Sequence, residues 1–149
     1  MKLSNKGRYS VQAVFDMAFH GHGDASQIKD IAERQAIPPR FLEQIFQDLK
    51  RGGLVVSKRG PRGGYRLARP ASAISLGDVV RAVEGPVTLL ADPTKAIRGT
   101  SGQVATQVFM ELSERIEACF NAVSIEQLCE RSEQIGIRRS APRRLSYVI

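Results

Sequence analysis

The sequence predicts a mainly α fold: three short helices, one β-hairpin, a fourth helix, and a single long helix toward the C-terminus. Three observations carry this. Apolar residues recur at three- and four-residue steps through most of the chain. One glycine-rich segment, Arg59-Gly60-Pro61-Arg62-Gly63-Gly64, separates two short runs of strand-forming residues. From Gln103 to Val123 the apolar stripe is unbroken. A chain of 149 residues suits one ordinary domain or a small domain with an appendage, and 42% apolar residues are enough for a packed core. With no Trp, three Tyr and six Phe, aliphatic side chains must fill most of that core.

The first helix is expected from about Gly7 to Phe19, where Tyr9, Ala13, Val14, Met17 and Ala18 form one apolar face. His20-Gly21-His22-Gly23 ends it, since two glycines break the pattern. Two histidines flanking a glycine raise the question of a metal, but no third histidine exists, so no metal site is assigned. Ser26 is the expected N-cap of a short second helix carrying Ile28, Ile31 and Ala32. Proline disfavours helical geometry in the residue before it yet suits the first helical position, so Ile37-Pro38-Pro39 stops one helix and starts another. The third helix runs from Pro39 to about Arg51, with Leu42, Ile45, Phe46 and Leu49 inward, and Gly52-Gly53 ends it.

Leu54 to Lys58 reads as a strand and Tyr65-Arg66-Leu67 as its antiparallel return. Two helices joined by a tight turn, with a packing helix before them, make a helix-turn-helix. An arginine-tipped hairpin directly after the second of the two makes it winged. Glycine lets the loop backbone turn sharply, and arginine has the reach and charge for a minor groove or a phosphate. A nucleotide cradle is excluded, because such loops join a strand to a helix and no GK[ST] follows here.

Ser75 and Asp78 form a capping box for a fourth helix, Leu76 to about Val83, which Gly85-Pro86 closes. Residues 87–102 lack periodicity and read as a loop. In the long helix Ala105, Val108, Phe109, Leu112, Ile116, Cys119, Phe120 and Val123 share one face. About twenty residues of helix span about 30 Å, more than a small winged head covers, so Val108, Phe109, Leu112, Ile116 and Phe120 are expected to dimerise. Cys119 is expected to be buried on that stripe as a structural residue. Ser124 caps a last short helix with Ile125 and Leu128, where Cys129 reads as a small apolar residue, a redox switch being the alternative. The expected organisation is a winged head over 1–85, a loop over 86–102, dimerisation and following helices over 103–135, and a basic tail over 136–149. Arg138, Arg139, Arg143 and Arg144 make that tail flexible or an auxiliary phosphate contact.

The net charge is +7, and its distribution is more informative than its sum. Residues 1–85 carry 14 basic and 8 acidic side chains, whereas residues 86–135 carry 4 and 7. Between Asp48 and Asp78 there is no acid, while Lys50, Arg51, Lys58, Arg59, Arg62, Arg66 and Arg69 fall inside the gap. A polyanion partner for the first part and self-association of the second follow as expectations. No run of eighteen apolar residues crosses a membrane, and the N-terminus lacks a secretory apolar stretch, so a cytoplasmic protein with reduced thiols is expected. No set of residues is spaced for catalysis, and no cofactor is assigned.

Lys2-Leu3-Ser4-Asn5-Lys6-Gly7-Arg8-Tyr9, Phe41-Leu42-Glu43-Gln44 and above all Arg59-Gly60-Pro61-Arg62-Gly63-Gly64-Tyr65-Arg66-Leu67 resemble the Rrf2 family, the bacterial regulators that include the IscR, CymR and NsrR groups. The match is dense over residues 1–85 and looser beyond. The resemblance implies winged heads joined by crossing long helices, a homodimer, and double-stranded promoter DNA as the ligand. It places Pro39, Arg40, Glu43 and Gln44 in the major groove and Arg59 and Arg62, with Tyr65 of the same motif, at the wing. Lys50, Arg51 and Lys58 would neutralise phosphates. A glutamate accepts from a cytosine amino group and a glutamine bridges an adenine; for Glu43 an ion pair with a nearby arginine is the alternative. The family's iron–sulfur members hold a cluster with three cysteines before the long helix, and residues 86–103 here contain neither Cys nor His. That departure points to the cluster-free, CymR-like branch, for which cysteine metabolism and a partner enzyme are the inputs implied. A cluster- or thiol-based sensor, and an interaction subunit without specific DNA binding, are the competing readings.

Overall fold

The computed structural model describes residues 2–95 and 99–142. The elements run α1 (Asn5–His20), α2 (Ile28–Gln35), α3 (Pro39–Arg51), β1 (Val55–Lys58), β2 (Gly64–Leu67), α4 (Leu76–Glu84), α5 (Ser101–Asn121) and α6 (Ile125–Gln134), with 3-10 turns at Ala71–Ala73 and Pro93–Lys95. No helix among the described residues is long and apolar enough to cross a membrane.

α1 is the central post. Its N-terminus begins two residues earlier than the apolar pattern indicated, because Ser4 accepts from the Gly7 amide at 3.0 Å. Glu84 of α4 reaches the same end, accepting from the Gly7 amide at 2.9 Å and from the Ser4 hydroxyl. Gly7 has no side chain because a Cβ there would collide with the Glu84 carboxylate. Ala13, Val14 and Met17 of α1 meet Ile31, Leu42, Ile45, Phe46, Leu49, Val79 and Ile125 in one apolar core. Beside it, the fully buried Asp16 takes a bidentate contact from Arg34, with Nη2 at 2.7 Å and Nε at 3.0 Å, and a bond from Gln35 Nε2 at 2.9 Å. A carboxylate buried without such donors would be costly; with them it locks α2 to α1.

The turn between α2 and α3 places Ala36 at φ 53°, a left-handed conformation more usual for Gly or Asn. Ile37 then drops into the core, and Pro39 opens α3 as its spacing predicts. Ser26 does not cap α2. Gln27 holds the cap position without a side-chain bond, and the Ser26 backbone exchanges two hydrogen bonds with Tyr65, N–H to O at 2.7 Å and O from N–H at 2.9 Å. Ser26 thus extends the hairpin by one isolated bridge, since pairing its backbone with β2 removes it from the helix start. β1 and β2 pair antiparallel from Val55 opposite Leu67 to Lys58 opposite Gly64.

The expected capping box of Ser75 with Asp78 forms on α4, and Ser124, the expected cap of α6, makes a second box with Gln127. α6 folds back onto the head: Ile125 is buried in the core and its amide bonds the Ile74 carbonyl at 2.9 Å. α5 starts at Ser101, inside the segment read as loop, and meets α4 through its C-terminal half, where Arg81 Nε donates to Glu117 at 3.0 Å and Nη2 to Asn121 at 3.0 Å. The loop before it is tethered as well, the Leu89 amide donating to Ser113 Oγ at 2.9 Å.

Candidate nucleic-acid interface

The leading edge of α3 is open. Pro39, Arg40, Phe41, Glu43 and Gln44 are all exposed, while Leu42, Ile45 and Phe46, one step round the helix, are fully buried. The amphipathic period therefore separates the anchoring side chains from the outward ones. An aromatic ladder carries two guanidiniums beside this edge: Tyr9 meets Phe41 edge-on at 5.9 Å, Arg8 lies over Tyr9 at 5.1 Å and Arg40 over Phe41 at 5.3 Å. The rings hold the cations without neutralising them.

Glu43 takes part in no ion pair among the described residues, so the arginine-partner alternative gains no support. Asp48, which the sequence reading passed over, is the opposite. It is 6% exposed, with Lys6 Nζ at 2.5 Å from Oδ2 and Arg51 Nη1 at 3.2 Å from Oδ1. Gln44 Nε2 approaches the same Oδ1 at 3.4 Å. The Lys6 ammonium, helped by Arg51 and Gln44, holds this carboxyl below the usual carboxylate range although burial pushes the other way. Its spacing four residues after Gln44 and three before Arg51 was the signal available in the sequence.

The wing carries Lys58, Arg59 and Arg62 exposed, and no carboxylate among the described residues pairs with any of them. Lys50 is exposed and donates to Ser57 Oγ at 3.0 Å, which joins the end of α3 to β1. Tyr65 is placed differently from the other expected contact residues. Its half-buried ring stacks on Phe46 at 4.6 Å, and its backbone bridges to Ser26, so it braces the base of the wing.

On α5, Val108, Phe109 and Leu112 are exposed and Ile116 and Phe120 half-buried, while the buried residue is Ser113. Cys119 is exposed, contrary to expectation, because nothing in the single chain covers that face; Cys129 is buried as expected. His20 and His22 hold the chain beyond α6. The Ser140 amide donates to His20 Nδ1 at 3.0 Å, and His22 Nε2 lies 2.5 Å from the Ser140 carbonyl. Arg139 lies over Phe19 at 4.9 Å and pairs with Glu133 at 2.8 Å, so the segment is tethered at Arg139 and Ser140 while its other residues are exposed; Arg143 and Arg144 lie outside the described residues.

With this geometry in hand, the family model described as Rrf2, iron-dependent transcriptional regulator, matches residues 3–131. The HTH-type transcriptional regulator IscR of Vibrio atlanticus is 39% identical over 142 residues, covering 92% of this chain and 80% of that protein. Among solved structures, CymR of B. subtilis, the global cysteine regulator, superposes with a TM-score of 0.73 at 28% identity over 88% of this chain and 98% of that one. IscR of T. potens superposes with a TM-score of 0.72 at 33% identity over 94% of both chains. A winged helix-turn-helix with an open, basic recognition edge, matched along most of its length by regulators of one family, belongs to the Rrf2 family of transcriptional regulators.

Proposed function

We propose that this chain is a homodimeric, sequence-specific DNA-binding repressor that reads a pseudo-palindromic operator and works without an iron–sulfur cluster. The observation that carries the reading is the contrast in charge pairing. Buried Asp16 and Asp48 each face cationic partners, Arg34 for the first and Lys6 with Arg51 for the second, whereas Lys58, Arg59, Arg62 and the exposed Glu43 have no ionic partner among the described residues. Side chains left unpaired on one helix edge and the adjoining hairpin suit an external polyanion with base edges to select.

On this reading Pro39, Arg40, Glu43 and Gln44 enter the major groove. Arg59 and Arg62 take the flanking minor groove, and Lys50, Arg51 and Lys58 hold phosphates. Tyr65 supports the wing from beneath. Val108, Phe109 and Leu112 expose an apolar face that a second copy of α5 would cover around a two-fold axis, closing over Ile116, Phe120 and Cys119. Repression follows from occupying promoter DNA.

The donor set does not suit a cysteine-ligated cluster, which needs several converging thiolates or imidazoles. Residues 86–103 contain none. Burial pushes the Cys129 thiol up, against the thiolate, and both histidines are engaged with Ser140. No group of three or more His, Cys, Asp or Glu among the described residues could hold a metal ion.

Selection of bound sites from a random duplex pool, with the mass of the complex measured by sedimentation, tests the proposal. One symmetric motif bound by two chains is the expected result. Recovery of no motif, or a monomer on its preferred site, would refute it.

A further inference from the structure

Asp48 sits one helical turn after Gln44 and is buried, while Gln44 is exposed. A carboxylate is acceptor-only, so of the two ends of the Gln44 amide Asp48 tolerates only the NH2 end. The structure has that orientation, with Nε2 3.4 Å from Oδ1. Oε1 is then directed away from the carboxylate, and one N–H remains unused. The charge of Asp48 is met by Lys6 at 2.5 Å and Arg51 at 3.2 Å, so it does not repel a phosphate backbone as an unpaired acid would.

Resting on the reading of α3 as the helix that meets base edges, we propose that Asp48 is a positioning residue that sets the base choice of Gln44. With Oε1 outward, Gln44 selects a base bearing an exocyclic amino group in the major groove. Adenine is favoured, because its N7 also takes the free N–H, and cytosine follows. Guanine and thymine present acceptors at that place and are rejected. If the carboxylate became an amide, Gln44 could reverse and donate both N–H groups to guanine O6 and N7.

The test uses the full chain and the selected operator. Gln44→Ala identifies the position Gln44 reads as the one whose preference flattens. At that position Asp48→Asn should raise the affinity of guanine or thymine relative to adenine by at least about fivefold and leave other positions alone. Asp48→Asn combined with Gln44→Ala should match Gln44→Ala. Lys6→Met, which removes the Lys6 ion pair but leaves the Arg51 and Gln44 contacts, should lower affinity equally for all bases. Unchanged preference in a folded Asp48→Asn, or a uniform loss like that of Lys6→Met, overturns the proposal. If circular dichroism shows Asp48→Asn unfolded, the wild-type preference decides: adenine or cytosine at the Gln44 position supports it, guanine or thymine overturns it. An operator in which Gln44→Ala flattens no position defeats this inference while DNA reading stands; absence of any operator defeats the reading beneath it.

Discussion

Replacing Gly64 with alanine should detach the wing from the helix-turn-helix without touching a single basic residue. Gly64 opens β2 with φ at 152°, where L side chains are strained. A Cβ there would press on the Ser26 carbonyl group, 2.8 Å from its carbon. Relief requires the strand to move off Ser26, which breaks the bonds of 2.7 and 2.9 Å between Ser26 and Tyr65. Two backbone bonds at about 1 kcal/mol each, with about 1–3 kcal/mol of backbone strain, give a loss of about 3–5 kcal/mol. A domain stable by roughly 5–15 kcal/mol still folds after that loss. Gly60→Ala is the matched control, since Gly60 also has a positive φ, 108°, but a Cβ there meets nothing within 4 Å. It should cost only the strain. Urea unfolding followed by far-ultraviolet circular dichroism measures both. The midpoint of Gly64→Ala should fall well below that of Gly60→Ala with the slope unchanged. DNA affinity should fall with it, because Arg59 and Arg62 lose their braced base. Equal midpoints for the two variants would refute the clamp between Ser26 and the wing.

Other expectations follow from the same geometry. Arg59→Ala should weaken binding to every duplex and lower the slope of log affinity against log salt by about one, measured by titration across salt concentrations. Glu43→Ala should relax base preference more than it lowers affinity, and equal losses on operator and scrambled duplex would count against base readout. Phe109→Asp should leave the single chain folded, since Phe109 is exposed there. Losing about 2 kcal/mol per chain, felt twice across a two-fold axis, should raise the dimer dissociation constant by about three decades in sedimentation equilibrium. Burial lowers the pKa of His20 below 6.5, with Asp16 opposing and Arg34, His22 and Arg139 adding to the effect. Between that lowered value and 6.5 the unfolded chain takes a proton the folded chain refuses, so stability is complete above about pH 6.5 and falls below it. Protonation of Nδ1 also removes the acceptor for the Ser140 amide. Urea midpoints of wild type and His20→Gln between about pH 5 and 8 check this, and parallel profiles would contradict it.

Much of the candidate interface is legible in the sequence. The exposed edge of α3 follows from where Leu42, Ile45 and Phe46 must point, and the wing arginines follow from a glycine-rich turn between two strand-forming runs. Membership of the wing motif does not show that the Tyr65 ring stacks on Phe46, since that contact joins residues far apart in the chain. Asp48 escaped notice because its partners are split between its own helix and Lys6 on α1.

Features that depend on near neighbours were determined by the sequence alone: the periodicities of α1, α3 and α5, the capping boxes of α4 and α6, and the start of α3 at Pro39. Each is settled within a turn or two of chain, by forces such as steric restriction and amide satisfaction that act over a few ångströms. Contacts between distant residues were decided by tertiary structure: Ser26 with Tyr65, Lys6 with Asp48, Asp16 with Arg34, and His20 with Ser140. Ser26 shows the reason most plainly. Its side chain suits a helix cap, but its backbone had a strand to pair with, and only the packed chain brought that strand within reach. Cys119 shows the other limit, since a stripe's spacing tells which face is apolar and not what will cover it.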